Sequence, residues 1–353
     1  MARKGILTAL IAAGAACHAG PEPAVMPEPG QLARIRHLRI EAPAAACPGK
    51  AFAASYDGQL DDGSWLPHRL PVELLQLSSS NAEQFSTGDW TPAPDPLASL
   101  TTGFHLVATL RANPDISDTL VIPPEYSCLP RTFRITGAQG NPGAPGADGP
   151  PVTVRIGFIQ TPYFATLVAA VVAVPDRPPV YLFADAARVL PGPWLTVESS
   201  GGPGGWGRNG RPGRDGAQGS TGCPGASGGP GENGEPGGPG GRGGAGGAIT
   251  IVGPNDWNLF AGLIDARSPG GTGGRGGAGG EGGQGGAGGL HSGMSAHGFC
   301  RDGASGPPGY DGQKGSDGTK GSAGPRSRIV TVPSEDVFGP DAPPLLRSLH
   351  KAE

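Results

Sequence analysis

The chain has 353 residues, of which 66 are Gly and 40 are Pro, and a net charge of −4 with interspersed signs. That balance leaves no basic stripe and so excludes nucleic acid as a partner. Apolar residues are concentrated in roughly the first 200 positions and glycine brings no side chain to bury, so one or two modest β domains carrying glycine-rich segments are expected in place of one large core.

Residues 1–20 carry the features of an export signal: Arg3 and Lys4, then a short apolar stretch, then the small residues Ala13 to Ala16 before Cys17. The stretch is too short to span a bilayer as a helix. Cysteine usage adds to this. Five cysteines in an exported chain leave one over, and assigning Cys17 to lipidation leaves Cys47, Cys128, Cys223 and Cys300 for two disulfides. Gly14-Ala15-Ala16-Cys17 resembles a bacterial lipobox, and the resemblance implies a membrane lipid anchor at Cys17. Gly14 stands where a lipobox usually has Leu, so ordinary cleavage within residues 13–16 is the alternative.

A Pro/Glu linker occupies residues 21–32, and residues 33–136 read as a β-sandwich-like domain. Phe104, Leu106, Ala108 and Leu110 alternate with His105, Val107, Thr109 and Arg111, the period-two signature of a half-buried strand. Further strands are expected near residues 38–40, 52–56, 119–122 and 133–135. Tyr126, two residues before Cys128, resembles the tyrosine corner of immunoglobulin-like domains, from which only a sandwich architecture is implied.

Residues 137–332 read as a stacked-β platform interrupted by glycine registers at 137–151, 201–248 and 270–326, with 333–353 as a C-terminal tail. Strand-like segments at 152–156, 164–174, 180–184 and 195–197 precede the longest register, which holds glycine at every third position for sixteen triplets. A repeat is visible. Residues 181–183 and 194–203 parallel residues 249–251 and 263–272 at an offset of about 69, with a third beginning at Ile329, the mark of stacked repeat units.

Glycine at every third residue suits a three-residue-per-turn polyproline-II helix with one face against a neighbour. Either three chains wind together as collagen, or arms of one chain pack as polyglycine II. The second is favoured. Many triplets are G-G-X, the segment 270–290 entirely so, and each long excursion begins and ends at strand-like sequence, so its rods must return. A G-G-X helix presents two glycine faces and can be flanked on both sides. Arms of some twenty residues would reach about 65 Å, placing Cys223 and Cys300 near distal turns where a disulfide would tie two hairpins together.

These registers resemble the polyglycine-II bundles of springtail antifreeze proteins and of a phage tail-tip adhesin and, more loosely, bacterial collagen-like surface proteins. The resemblance covers about 110 residues and implies rods and a binding surface. The expected fold is therefore all-β plus polyproline-II: an N-terminal β-sandwich followed by a platform bearing an intramolecular polyglycine-II bundle. The expected product is an exported, lipid-anchored or extracellular lipoprotein of the cell surface, monomeric in preference to trimeric. Its work is structural or adhesive, with a surface glycan or protein ligand at rod tips formed by residues 219–225 and 291–302. Cys223, His291, Met294, His297, Phe299 and Arg301 are the candidate contacts.

Catalytic chemistry is not expected. No GxxxxGK[ST] is present and the remaining histidines stand apart from any nucleophile, so no catalytic residue and no cofactor are assigned. His291, Met294, His297 and Cys300 would suit copper by softness, but their spacing has no strong precedent and they read as polar loop-tip residues; no metal is assigned. The alternatives are a collagen-like trimer of a matrix and a polysaccharide-binding or polysaccharide-active β-solenoid, for which Asp185, Asp256 and Asp265 would be the candidate acids, a set too sparse for such a site.

Overall fold

A computed structural model describes residues 24–85, 88–189, 193–255, 262–295 and 298–349. The export segment and Cys17 lie outside the described residues. The chain is mostly β-sheet, with only short helices, and no described helix is long and apolar enough to cross a membrane. It divides into two compact units, Met1–Glu125 and Tyr126–Glu353.

The first unit contains β1 (Ile35–Glu41), β2 (Phe52–Ala53), β3 (Ser55–Leu60), β4 (Leu75–Ser78), β5 (Ala82–Gln84), β6 (Asp89–Pro92), β7 (Phe104–Leu110) and β8 (Ser117–Ile122). They are distributed over three small sheets, β1-β3, β2-β6-β5 and β4-β7-β8, around one apolar core. The period-two pattern of β7 translates into strict alternation, with Phe104, Leu106, Ala108 and Leu110 inward. Trp90 and Tyr56 are both buried, and the Trp90 indole donates to the Tyr56 hydroxyl at 2.8 Å, so neither polar atom is stranded in the core.

The second unit contains β9 (Thr132–Thr136), β10 (Val152–Ile159), β11 (Leu167–Ala173), β12 (Val180–Asp185), β13 (Leu195–Ser200), β14 (Ile249–Pro254), β15 (Ile264–Arg267), β16 (Met294–Ser295), β17 (Gly298–Phe299) and β18 (Arg328–Val332). Three parallel strands form the sheet β15-β13-β9; a second sheet, β12-β11-β10-β14-β18, has β10, β14 and β18 parallel and β11 and β12 antiparallel at one side. Leu195, Val197 and Ile135 of the first sheet share one core with Val152, Val154, Ile156, Ile249 and Ile251 of the second. Each glycine register leaves a strand of the small sheet and re-enters the larger one: β9 to β10, β13 to β14, β15 to β18.

Four expectations change here. Residues 133–135 belong to β9, which pairs with β13, so this strand lies in the second unit and not at the end of the first. Tyr126 opens the second unit, where its ring packs against Phe164 and Phe183 with centroids 5.8 and 5.3 Å away. The 69-residue offset holds for β13 and β15, whose register is Leu195↔Ile264, whereas β14 is flanked by β10 and β18 and the segment 181–183 pairs antiparallel with β11. A short apolar run reads alike in either direction, so β12 imitated a repeat that β10 supplies. Residues 333–349 also pack as part of the unit. Val337, Phe338 and Leu346 are buried, Gly157 leaves room for the first two, and Arg155 Nη1 donates to Val337 O at 3.0 Å.

Candidate functional site: the glycine arms and their tip

The registers form three hairpins, each an outgoing and a returning arm, without helix or strand assignment along most of their length. The first uses residues 137–143 and 144–151, the second 201–222 and 225–248, the third 270–290 and 303–326. The arms are joined by backbone hydrogen bonds that recur every third residue. Outgoing arm two donates to outgoing arm three (Gly204 N to Thr272 O 2.8 Å, Gly207 N to Arg275 O 2.7 Å, Gly216 N to Gln284 O 2.7 Å). Returning arm two donates to returning arm three (Gly228 N to Ala304 O 2.9 Å, Gly240 N to Ser316 O 2.9 Å). Antiparallel bonds close the array. Gly238 N reaches Arg208 O, Gly277 N reaches Gly238 O, and Gly315 N reaches Gly277 O.

Glycine is required by the closeness of these contacts. In outgoing arm three a Cβ on a first-slot glycine would collide with the returning arm (Gly276 with Gly315), and one on a second-slot glycine with outgoing arm two (Gly277 with Arg208), each below 3.0 Å and each against backbone. Only the third slot is free, and Thr272, Arg275, Ala278, Glu281, Gln284, Ala287 and Leu290 are all exposed there. The second hairpin follows the same rule over part of its length. Gly202, Gly205, Gly241, Gly244 and Gly247 lie against the first hairpin. Beyond the turn of that hairpin at residues 141–144, the second slot carries Arg208, Arg211 and Arg214 going out and Glu232 and Glu235 coming back, all exposed. A side chain in the second slot is thus tolerated where the neighbouring arm has ended, although Gly229 and Gly238 keep glycine there without a backbone clash below 3.0 Å.

A further rule was not anticipated. Every Asp or Asn in the third slot of a register accepts a backbone N–H from an adjoining arm: Asp148 from Ala245 (2.7 Å), Asn209 from Ala278 (3.0 Å), Asp215 from Gln284 (2.7 Å), Asn233 from Tyr310 (2.8 Å), Asp311 from Gly282 (2.8 Å) and Asp317 from Gly276 (2.8 Å). These side chains occupy donors that the three-residue ladder leaves over, as an Asx side chain does at a helix start. The signal was present as recurrent G-X-Asp and G-X-Asn triplets, but its partners lie 29 to 97 residues away.

At the tip Cys223 and Cys300 form a disulfide with a Cα–Cα distance of 5.2 Å, joining hairpins two and three. Cys47 and Cys128 are disulfide-bonded as well. His291 bridges to Gly222, and its N–H and Nδ1 both lie 2.6 Å from Asp302 Oδ1. The His291 N–H, and then its ring, hold the Asp302 carboxyl below the usual carboxylate range. Met294 and Phe299 pair through their backbones in the β16–β17 hairpin, and Arg301 is exposed with its carbonyl accepting from Gly225 N at 3.0 Å. His297 lies outside the described residues. Cys223, His291 and Arg301 are thus brought together around one tip.

The described candidate acids are not convergent, and Asp256 lies outside the described residues. Asp185 ends β12 and lies 3.8 Å from Arg188, whereas Asp265 is on β15 of the other sheet, paired with Arg267 at 2.6 Å. Among the described residues no group of three or more His, Cys, Asp or Glu is arranged to hold a metal. No family model, curated protein or solved structure matches this chain.

Proposed function

We propose that the six arms are a polyglycine-II bundle, and that the chain is a non-enzymatic, exported structural or adhesive surface protein whose rigid bundle presents a ligand-binding tip. The observation that carries this reading is the recurrent hydrogen-bond ladder between arms of one chain. Solitary polyproline-II strands make no internal hydrogen bonds and stay mobile; here the first-slot glycines of hairpin two alone donate from Gly201 to Gly222 and from Gly225 to Gly246 without a missed triplet. At about 3.1 Å per residue such arms reach roughly 65–70 Å. A collagen trimer is disfavoured because those glycine faces are already covered by the same chain. Two disulfides accord with export. A lipid at Cys17 would hold the protein at the outer membrane or cell surface, and a surface glycan or another protein would meet the tip.

Sedimentation and binding test this together. The full chain is expected to sediment as a monomer with a polyproline-II dichroism signal, and to bind surfaces through the tip. Replacing residues 292–299 by a Gly-Ser turn should abolish that binding and leave the dichroism intact. A trimer whose signal vanishes on dissociation would refute the bundle, and unchanged binding by the tip variant would refute the adhesive tip.

A further inference from the structure

Backbone donors remain at one edge of the array. The hairpins repeat by translation: first-slot N–H groups of outgoing arm one donate to third-slot carbonyls of outgoing arm two (Gly140 N to Pro203 O, 2.9 Å), and those of arm two to arm three (Gly204 N to Thr272 O, 2.8 Å). Outgoing arm three keeps the same slot orientation. Its first-slot glycines back onto its returning arm, Gly276 on Gly315, just as Gly207 backs onto Gly238 in hairpin two. The N–H groups of Gly270, Gly273, Gly276, Gly279, Gly282, Gly285 and Gly288 therefore face the place where a fourth hairpin would lie.

Two of these seven donors are occupied, Gly276 by Asp317 and Gly282 by Asp311, each at 2.8 Å from the third slot of the returning arm. Lys314 stands between and pairs with Asp317 at 3.2 Å. Gly270, Gly273, Gly279, Gly285 and Gly288 donate to no protein acceptor among the described residues. The underlying sheet ends at the same side with β15, an edge strand of four residues carrying the Asp265–Arg267 ion pair. Short, charged edges are how sheets avoid pairing with another chain.

We propose that Asp311 and Asp317 are edge guards: their carboxylates take the acceptor positions that the third-slot carbonyls of a further glycine arm would take, and so exclude the glycine arm of a second copy of this chain. The excluded partner follows from the lattice. Donors recur every three residues, about 9 Å apart, and the approach tolerates no Cβ, so an arm of the same glycine period matches the row. Every copy carries such arms. Because the hairpins repeat by translation, an unguarded edge would extend head to tail instead of closing.

The test uses the full chain with Asp311→Ala and Asp317→Ala combined, followed by sedimentation over a range of concentrations, with polyproline-II dichroism reporting the fold. The double variant is expected to assemble, at least doubling its weight-average mass at high concentration. Wild type and Asp215→Ala, which removes an equivalent cap from the face of the array, should stay monomeric. Asp311→Asn with Asp317→Asn keeps an acceptor oxygen in place and should also stay monomeric. A folded double-alanine variant that remains monomeric overturns the proposal. So does equal assembly by the wild type, by Asp215→Ala or by the asparagine pair. If the double-alanine variant loses its dichroism, the single variants Asp311→Ala and Asp317→Ala decide by the same readout, each expected to assemble more weakly.

Discussion

Gly277→Ala tests the close packing of the arms most directly. Gly277 is buried in outgoing arm three, donates to Gly238 O at 2.9 Å and accepts from Gly315 N at 2.9 Å. A Cβ there would fall on the carbonyl of Arg208, below 3.0 Å, and backbone cannot rotate aside as a side chain can. The arm must withdraw, and the bonds at risk are Gly277 N to Gly238 O and the two flanking ones, Gly207 N to Arg275 O and Gly210 N to Ala278 O. At about 1 kcal/mol net each, with an added penalty for any donor left buried, the loss is about 3–4 kcal/mol. Alanine offsets about 0.4–1 kcal/mol through the lower entropy of its unfolded chain, leaving roughly 2–3.5 kcal/mol. For a unit of this size that corresponds to a fall in Tm of roughly 4–14 °C, read from the loss of the polyproline-II dichroism on heating. Ala278→Gly, in the adjoining exposed third slot, is the control and should cost no more than about 1 kcal/mol. A Gly277→Ala protein melting within about 1 °C of wild type, or an Ala278→Gly protein that is the less stable of the two, would refute the packing argument.

Two further outcomes follow from the tip and the edge. Combined Cys223→Ser and Cys300→Ser removes a cross-link between residues 77 apart, for which chain entropy implies a loss of about 4 kcal/mol; denaturant titration of the dichroism signal should show a lower midpoint, and an unchanged midpoint would mean that the disulfide contributes nothing. Acid should also weaken the array. The His291 N–H lowers the Asp302 carboxyl and the Gly276 N–H lowers that of Asp317, so their stabilisation is complete above the unfolded-state value of about 4 and is lost as pH falls through the lower folded-state values. Melts between pH 7 and pH 2 should show Tm falling below about pH 4 and a shallower fall for Asp302→Asn with Asp317→Asn; parallel slopes in the two proteins would count against this linkage.

Much of the local structure was legible because its causes are local. The alternation of residues 104–110 became β7 with one buried face, since side-chain direction in a strand depends only on position. The all-glycine faces of residues 270–290 foretold an arm with neighbours on both sides, because a Cβ there has nowhere to go. Cysteine count and position anticipated the Cys223–Cys300 link. Less was legible wherever a residue answers to a distant partner. The segment 181–183 looked like a repeat of 249–251, yet the one lies antiparallel beside β11 and the other parallel beside β10. Tyr126 looked like a corner of the first domain and packs in the second.

By itself the amino-acid sequence determined the period, the slots and therefore which faces can approach a neighbour, since glycine placement acts through the sterics of three consecutive residues. Only the tertiary structure decided which arm meets which. The pairing of Asn209 with Ala278, of Asp317 with Gly276 and of β13 with β15 depends on registers between segments tens of residues apart. Those registers are handed from the parallel strands to the arms that continue them, and no three-residue pattern contains them.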